Sequence, residues 1–217
     1  MTDKPMIFSA EMVRALLDGR KSMTRRILKP QPPADAHMVR AYTDNAPRPA
    51  LRNTIGWFVP EAGDLWPCND EDRIPLPYAS GDRLWVREGW ASESVDAEEG
   101  FYGPDYRATA NGQPTDGRWR SPIHMPRWAS RLTLVVTDVR LERVQETSND
   151  DARAEGAPAW WRGLPEDQRE PTTTAIGMFR DLWSALHGPD AWKRNDWVAT
   201  ITFTVHRCNI DQMEAAQ

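Results

Sequence analysis

The chain has 217 residues, of which 27 are Lys or Arg and 32 are Asp or Glu, so its formal net charge is −5. This length suits one domain of ordinary size, and the acidic balance excludes a strongly basic protein that coats nucleic acid through charge alone. No apolar run approaches the roughly 20 residues of a membrane span, and the N-terminus has no signal-peptide pattern. The two cysteines, Cys68 and Cys208, lie far apart, which argues against a disulfide framework and favours a cytoplasmic protein that does not act at a membrane.

The N-terminal region predicts a strand followed by a short helix. The apolar run Met6–Phe8 suits a strand, and Ser9 is typical of a helix N-cap. Apolar residues from Val13 onward recur at i, i+3 and i+4, which is the spacing of one helical face. Gly19 is a stop signal, so the sequence predicts a helix over residues 9 to 18.

A proline-rich segment follows. Nine of the 18 prolines fall between Pro30 and Pro77, and residues 30 to 80 show no clear period of 2 or 3.6. An irregular stretch of this length is unusual inside a compact domain and often serves as a lid or a binding loop. The alternative is a surface insertion without a role, and both interpretations stay open.

The middle of the chain is strand-like. Gly81-Asp82 is a turn signal, and the segment from Arg83 to Trp90 then has the pattern of a strand. A weaker strand is predicted around Tyr102 to Thr109. Two prolines make the segment from Arg118 to Trp128 a loop or a sheet edge.

A long strand is predicted from Leu132. Its apolar residues alternate until the phase slips by one, which predicts a β-bulge near Thr137-Asp138. Residues 148 to 154 predict a short helix, and the spacing i, i+3, i+4, i+7 within residues 179 to 186 is the strongest helical signal of the chain. A last alternating strand spans residues 197 to 205. Strands mixed with three short helices, without a regular βαβ alternation, indicate the α+β class.

Several kinds of catalytic site are excluded because their motifs are missing. The chain has no phosphate-binding loop of the P-loop or dinucleotide type, no G-x-S-x-G nucleophile elbow and no zinc-deaminase signature. The four histidines show no spacing typical of metal ligands. The sequence therefore predicts neither a metal site nor a cofactor, and any hydrolytic chemistry is expected to be metal-independent.

The segment Gly19–Arg26 carries the most chemistry. Six basic and two acidic residues lie between residues 11 and 30, which makes a local positive patch in an acidic protein. Lys21 and Thr24 are three residues apart, and in a regular strand they would point to opposite faces. They can share a site only if a turn intervenes, and Gly19 makes one plausible. Taken alone, the segment favours a solvated basic face in which Lys21 contacts a phosphate and Thr24 is a strand-forming residue.

A helix followed by G-[RT]-K-[ST]-x-T-x-R, here Gly19–Arg26, resembles the ASCH domain family, whose fold is PUA-like. The further segments that look like long ASCH-type proteins of phages and prophages are Phe8-Ser9, Pro30–Pro32, Gly81–Glu88, Ile123–Arg131, Phe179–Trp183 and Phe203–Val205. The resemblance implies one ASCH-like domain over residues 1–217, a small β-barrel with short flanking helices. The proline-rich insertions would lie at about 30–80 and 91–130.

The resemblance also implies an activity. Some small bacterial members are amidohydrolases that remove the acyl group from N4-acetylcytidine with a Lys, a Thr and a Glu. The motif places the first two at Lys21 and Thr24, and aligning the short helix after the long middle strand places the third at Glu155, with Asp150 and Asp151 as close rivals. Thr24 as nucleophile needs a neutral Lys21, whose pKa must then fall about three units from its usual value near 10.4.

Five further residues are expected to bind a modified pyrimidine nucleoside or a short RNA. Arg26, Arg87 and Glu88 are expected in the same cleft, where a guanidinium and a carboxylate suit base recognition. The alternative for them is a cross-strand ion pair. Trp90 is expected either to stack on a base or to pack in the core, and His124, in a proline-flanked loop, completes the set without an assigned contact.

The expected function is thus metal-independent removal of the acyl group from N4-acylated cytidine. The alternative is a non-catalytic ASCH module that binds RNA or a modified base in the same cleft, and a ribonuclease is the third choice. No protein partner is predicted.

Overall fold

The computed structural model describes residues 2–32, 74–92, 103–114, 117–156 and 174–213, together with short strands at 38–42, 54–58, 65–66, 95–96 and 100–101. Its strands are β1 (Asp3–Ile7), β2 (Met23–Ile27), β3 (Met38–Tyr42), β4 (Thr54–Phe58), β5 (Leu65–Trp66), β6 (Ile74–Pro75), β7 (Arg83–Arg87), β8 (Trp90–Ala91), β9 (Val95–Asp96), β10 (Gly100–Phe101), β11 (Asp105–Tyr106), β12 (Thr133–Arg143) and β13 (Trp197–His206). Its α-helices are α1 (Ala10–Leu17), α2 (Asn149–Ala154), α3 (Ala175–His187) and α4 (Ala191–Arg194). The α+β class agrees with the prediction.

The main sheet has five strands in the order β1-β7-β12-β13-β2. β1 runs parallel to β7, with Pro5 opposite Trp85, and the other neighbouring strands are antiparallel. On the last pair of strands, Thr24 of β2 lies opposite Ile201 of β13. This register matters for the site, because directly opposite residues of an antiparallel pair share one face of the sheet.

The expected small barrel is not seen. In the described sheet β1 and β2 are the two edge strands, and no backbone ladder pairs them, so the sheet stays open. The edges nevertheless approach each other, since Arg26 Nη2 on β2 donates to the Ile7 carbonyl oxygen on β1 at 3.0 Å. A single side chain therefore connects the two edges where a barrel would have a ladder of backbone hydrogen bonds.

The three predicted helices form, each after a hydroxyl cap. Ser9 accepts a hydrogen bond from Met12 N before α1, and Ser148 accepts one from Asp151 N before α2. α3 begins earlier than its apolar spacing indicated, because Thr174 caps the helix ahead of the periodic residues. These hydroxyls pair with N–H groups that have no partner inside the first turn of a helix.

The predicted bulge and the predicted turn before β7 are both confirmed. The register of β12 against β13 shifts between Val136 and Asp138. In the turn, Gly81 adopts a φ of +86°, which a side chain disfavours. The buried Asp82 carboxylate then accepts hydrogen bonds from Thr2 N, Thr2 Oγ1, Lys4 Nζ and Ala79 N. These bonds tie the start of β1 to the start of β7.

The expectation of an irregular segment over residues 30 to 80 is wrong for the part that is described. β3, β4 and β5 form a second small antiparallel sheet, and β6 pairs with β4. Its fully buried Ile55 packs with Leu28 and Trp197 beside the main sheet. Strands of two to five residues are too short for their own alternation to show, and their cross-strand pairing defines them instead. The remaining residues of this segment lie outside the described ones.

The second expected insertion, residues 91 to 130, has little regular structure where it is described. The weaker strand predicted around Tyr102 to Thr109 is reduced to the two residues of β11, and Tyr102 lies outside the described residues. The proline-broken segment forms two single 3₁₀ turns, Pro122–His124 and Arg127–Ala129, in agreement with a loop.

α1 and α3 pack on opposite faces of the main sheet. The core under α1 contains Val13, Leu16 and Ile201, whereas the core under α3 contains Phe179 and Val198. Ile201 and Val198 differ by an odd number of positions on β13, so their side chains lie on opposite faces. Residues of both helices nevertheless line one cavity beside the edge strand β2. Across the described residues, the helices are too short or too polar to span a membrane.

Candidate active site

A cavity of about 370 Å³ lies where β2, α1 and α3 meet. Its wall contains the three residues expected to carry catalysis, Lys21, Thr24 and Glu155, together with Arg26. These residues come from the turn after α1, from β2 and from the end of α2. Lys21 lies in the turn after α1, where Gly19 adopts a φ of +71°, and β2 begins only at Met23, so the alternation of a strand does not separate Lys21 from Thr24.

Lys21 is buried, with 2% of its surface exposed. Its Nζ donates to the Glu155 carboxylate oxygen Oε2, to the Glu155 carbonyl oxygen and to the Met23 carbonyl oxygen, each at 2.8 Å. An ammonium group has three protons, so these acceptors match all of them. The Phe8 ring lies 5.7 Å from Nζ and adds an apolar surface on which a cation packs favourably.

The surroundings of Lys21 hold its pKa below the ordinary value. Burial lowers the pKa most, because the ammonium loses its hydration. The carboxylate of Glu155 acts in the opposite direction, and the positive charges of Arg26 and Arg25 lower the pKa further. The direction is the one that the expected role of Lys21 as a base requires.

The structure distinguishes Glu155 from its two rivals. Glu155 is the C-cap of α2 and is buried, so that its carboxylate reaches Lys21 and Arg25. The side chain of Asp150 is 91% exposed and pairs with Arg153 on the same helix. Asp151 pairs with Arg25 rather than with Lys21. Among the three candidate carboxylates, Glu155 therefore has the contact expected of the third catalytic residue.

Thr24 lies on β2 with 3% of its surface exposed. It shares a face of the strand with Arg26, two positions further on, and both line the cavity. Within the described part of the chain the Thr24 hydroxyl has no hydrogen-bond partner, whereas nearby Thr200 donates to Glu142 at 2.7 Å. A buried hydroxyl at a cavity wall without such a bond remains available to a bound molecule.

Arg25 points to the opposite face of β2 and organises the carboxylates behind the cavity. Its guanidinium contacts Glu142 at 2.6 Å, Asp151 at 3.0 Å and Glu155 at 3.4 Å. Burial raises the pKa of Asp151, but the charges of Arg25 and Arg140 outweigh burial and keep that pKa below its ordinary value. Arg25 therefore links β2 to β12 and α2.

Arg26 is the one predicted substrate-binding residue that the described structure places at the cavity. It is partly exposed, and its guanidinium carbon lies 5.4 Å from the Phe8 ring. The ring of Phe8 is therefore close to both cations, Lys21 and Arg26. The hydrogen bond to the Ile7 carbonyl fixes the guanidinium at the mouth formed by the two sheet edges.

Arg87 and Glu88 are not in this cavity, so the expectation of a shared cleft is not met. Arg87 donates to the carbonyl oxygens of Met125 and Ile123 and fastens the loop that follows β11. Glu88 is 1% exposed and forms a two-bond pair with Arg131 at 2.9 and 3.0 Å. Arg87 is the last residue of β7 and Glu88 follows it, and two strands, β12 and β13, separate β7 from β2 in the sheet.

Trp90 and His124 also lie away from the cavity. Trp90 is buried and packs with Met125 and Ala129, so the core alternative describes it better than base stacking. His124 is exposed in the first 3₁₀ turn. The structure therefore places neither Trp90 nor His124 at the cavity of Lys21 and Thr24.

Residues of α3 complete the cavity, and the sequence analysis did not assign them to it. Phe179 and Trp183 line it, and His187 stacks on Trp183 with 4.3 Å between the ring centroids. Burial lowers the pKa of His187, and the charge of Arg26 lowers it further. The apolar spacing of α3 was the signal that could have indicated these residues. It predicts a buried helix face, but it does not distinguish residues of the core from residues that line a cavity.

The described residues contain no group of three or more His, Cys, Asp or Glu side chains arranged to hold a metal ion. The carboxylates near the cavity are engaged by arginine and lysine instead. No protein-family model, curated protein or solved structure matches the chain. The interpretation of the cavity therefore depends on its own geometry and on the sequence resemblance.

Proposed function

We propose that the protein is a metal-independent amidohydrolase that removes the acyl group from N4-acylated cytidine or cytosine. The observation that carries the proposal is the buried Lys21–Glu155 pair beside the unbonded Thr24 hydroxyl in one cavity. A nucleophile, a base of lowered pKa and a group that orients the base are what amide hydrolysis needs. The five-stranded sheet with α1 packed on one face is also consistent with a PUA-like ASCH domain, which we include in the proposal.

The pair can supply a neutral amine without releasing a charge. Moving one proton from Lys21 Nζ to the Glu155 carboxylate, 2.8 Å away, gives an uncharged amine beside an uncharged acid. The lone pair of the amine first faces Glu155, so Nζ turns and then accepts the hydroxyl proton of Thr24. The burial of Lys21 and Glu155 keeps water away from the proton that passes between them.

The reaction proceeds in two halves. The Thr24 oxygen attacks the acyl carbon while its proton passes to Lys21, and the bond to N4 breaks as Lys21 returns that proton to N4. Cytidine leaves with an amino group. Water then hydrolyses the acyl ester on Thr24 and releases the carboxylic acid, with Lys21 again accepting and returning a proton. Arg26, at the mouth of the cavity, contacts the pyrimidine.

The hydrogen bonds of Lys21 also separate this function from its alternative. A lysine that binds a phosphate of RNA keeps protons free for that phosphate, whereas the three protons of Lys21 already meet acceptors inside the protein. This arrangement argues against a direct contact between Lys21 and nucleic acid.

The test is the turnover of N4-acetylcytidine to cytidine, followed by chromatography in the presence of a chelator. Thr24→Val removes the hydroxyl with little change in shape and is expected to lower kcat by at least about 10³-fold, whereas Thr24→Ser keeps a hydroxyl and retains measurable turnover. The control for Glu155→Gln is Asp150→Asn, which changes a carboxylate near the start of the same helix. We expect Glu155→Gln to lower the turnover and Asp150→Asn to leave it unchanged.

Two outcomes would contradict the proposal. One is the absence of cytidine from wild-type protein that shows a cooperative unfolding transition. The other is turnover that Thr24→Val leaves intact, since the product would then come from a different site. Either result would favour the module that binds RNA or a modified base without catalysis.

A further inference from the structure

A second cavity of about 730 Å³ adjoins the first one on the other side of the α1 N-terminus. Phe8, Ser9 and Glu11 line both cavities, so a single wall separates them. The far side of the second cavity is built from the segments around residues 107 and 119 to 122, which belong to the insertion expected at 91–130. We call this second cavity the arginine groove.

The arginine groove carries an excess of positive charge. The charged residues among its described lining are Arg14, Arg107 and Arg120, with Glu11 as the one carboxylate. Glu11 pairs with Arg14 at 3.8 Å, and both side chains are about half exposed, so this pair is weak. In a protein of net charge −5, three guanidinium groups around one groove mark a place where an anion is attracted.

Arg107 is positioned by backbone contacts rather than by a carboxylate. Its backbone N–H donates to the Gly89 carbonyl oxygen at 2.8 Å. A Cβ atom on Gly89 would lie 3.2 Å from the Arg107 Cβ, so the absence of a side chain there allows the close approach. Among the described residues no Asp or Glu lies within ion-pair distance of Arg107, and its guanidinium can therefore take an external anion as partner.

The groove also offers a flat ring. Trp119 lines it and is partly exposed. Tryptophan rings at the edge of a basic groove stack with nucleic acid bases, and guanidinium groups hold the phosphates between those bases. The combination suits a nucleotide better than an acidic peptide, which has no comparable need for a ring.

We propose that the arginine groove binds the phosphate group attached to the pyrimidine nucleoside in the first cavity, so that the substrate is a nucleotide or a short strand rather than a free nucleoside. The proposal rests on the proposed function for the pyrimidine itself. Arg107 and Arg14 bind the phosphate, and Trp119 provides a stacking surface for a neighbouring base. Because only the wall at Phe8 and Ser9 separates the two cavities, one molecule can extend across it and occupy both.

The experiment compares kcat/KM for three probes: N4-acetylcytidine, its 5′-monophosphate, and a trinucleotide with N4-acetylcytidine in the middle. The readout is the preference, defined as the ratio of kcat/KM for a phosphorylated probe to that for the nucleoside. We expect a preference of at least about tenfold in the wild type, the value of one charge-assisted hydrogen bond. Arg107→Ala is expected to reduce it towards one, and Arg180→Ala, an exposed arginine outside both cavities, to preserve it.

The two phosphorylated probes distinguish the sources of the phosphate. A preference shared by both means that the groove recognises a phosphate as such, and a preference for the trinucleotide alone means that it follows a strand. Either result supports the proposal. Equal kcat/KM for all three probes in the wild type would overturn it, as would a preference that neither Arg107→Ala nor Arg14→Gln reduces.

A binding measurement keeps the two proposals separable. If no acylated probe is hydrolysed, the proposed function fails, and the groove is tested with a fluorescein-labelled cytidine trinucleotide by fluorescence anisotropy. Binding that weakens at least about tenfold in Arg107→Ala and with rising salt supports the groove without the hydrolase. A folded wild-type protein that does not bind this trinucleotide overturns the groove as well.

Discussion

The buried pair of Lys21 and Glu155 makes a prediction that does not depend on the reaction. Replacing Lys21 by Met leaves the Glu155 carboxylate, 5% exposed, with Arg25 at 3.4 Å as its remaining partner. Replacing Glu155 by Met leaves the Lys21 ammonium with two backbone carbonyls. Each single variant therefore leaves a buried charge without its 2.8 Å partner, and we expect each to lower the free energy of unfolding by about 3–5 kcal/mol.

The double variant is expected to be much less destabilised than its two parents suggest. With both side chains apolar and of similar length, no unpaired charge remains between α1 and α2. We therefore expect the double variant to cost about as much as one single variant, which corresponds to a coupling energy of about 3 kcal/mol. The matched control is the exposed pair of Asp150 and Arg153, for which we expect a coupling below about 0.5 kcal/mol.

Urea-induced unfolding, monitored by tryptophan fluorescence, measures all of these free energies in one buffer. The eleven tryptophans provide the signal. Additive effects of Lys21→Met and Glu155→Met, within about 0.5 kcal/mol, would refute the reasoning, because they would mean that the two charges do not interact in solution. Such a result would also remove the observation on which the proposed function depends.

Three further predictions concern the supports of the site. Gly156→Ala is expected to cost about 1–2 kcal/mol in urea unfolding, because Gly156 adopts a φ of +82° and its Cβ would lie 3.1 Å from that of Ala15. Asp82→Asn is expected to cost about 2 kcal/mol at pH 7; the folded pKa of Asp82 lies below 3.8, so its contribution is present above that pH and is lost as the pH falls through the folded value. Ser9→Ala is expected to cost about 1 kcal/mol through loss of the α1 cap.

Each of these has a result that would contradict it. Unchanged stability in Gly156→Ala would mean that the turn after Glu155 differs from the one described. For Asp82→Asn the pH profile is decisive, since a slope below pH 4 as steep as that of wild type would assign the acid sensitivity to other carboxylates. For Ser9→Ala, the control is Ser22→Ala, an exposed serine outside the helices.

The local features of the fold were accessible to sequence reasoning because they depend on neighbours in the chain. The periods of 3.6 and 2 located α1 and β13, the hydroxyl of Ser9 marked a helix start, and the slip near Thr137 marked the bulge. The shared site of Lys21 and Thr24 belongs to the same class, because the turn that begins at Gly19 keeps Lys21 outside the strand that carries Thr24. The motif that carries the family resemblance is likewise a local one.

The remaining features depend on residues that are distant in the sequence. Lys21 and Glu155 are 134 positions apart, and only the packing of α2 against β2 decides that Glu155, and not Asp150 or Asp151, contacts Lys21. Packing between distant elements also decides that α3 contributes a wall of the cavity and that the sheet stays open between β1 and β2. A pattern in the sequence shows which face of an element is apolar, but a site forms where several elements meet, and that meeting is set by long-range packing.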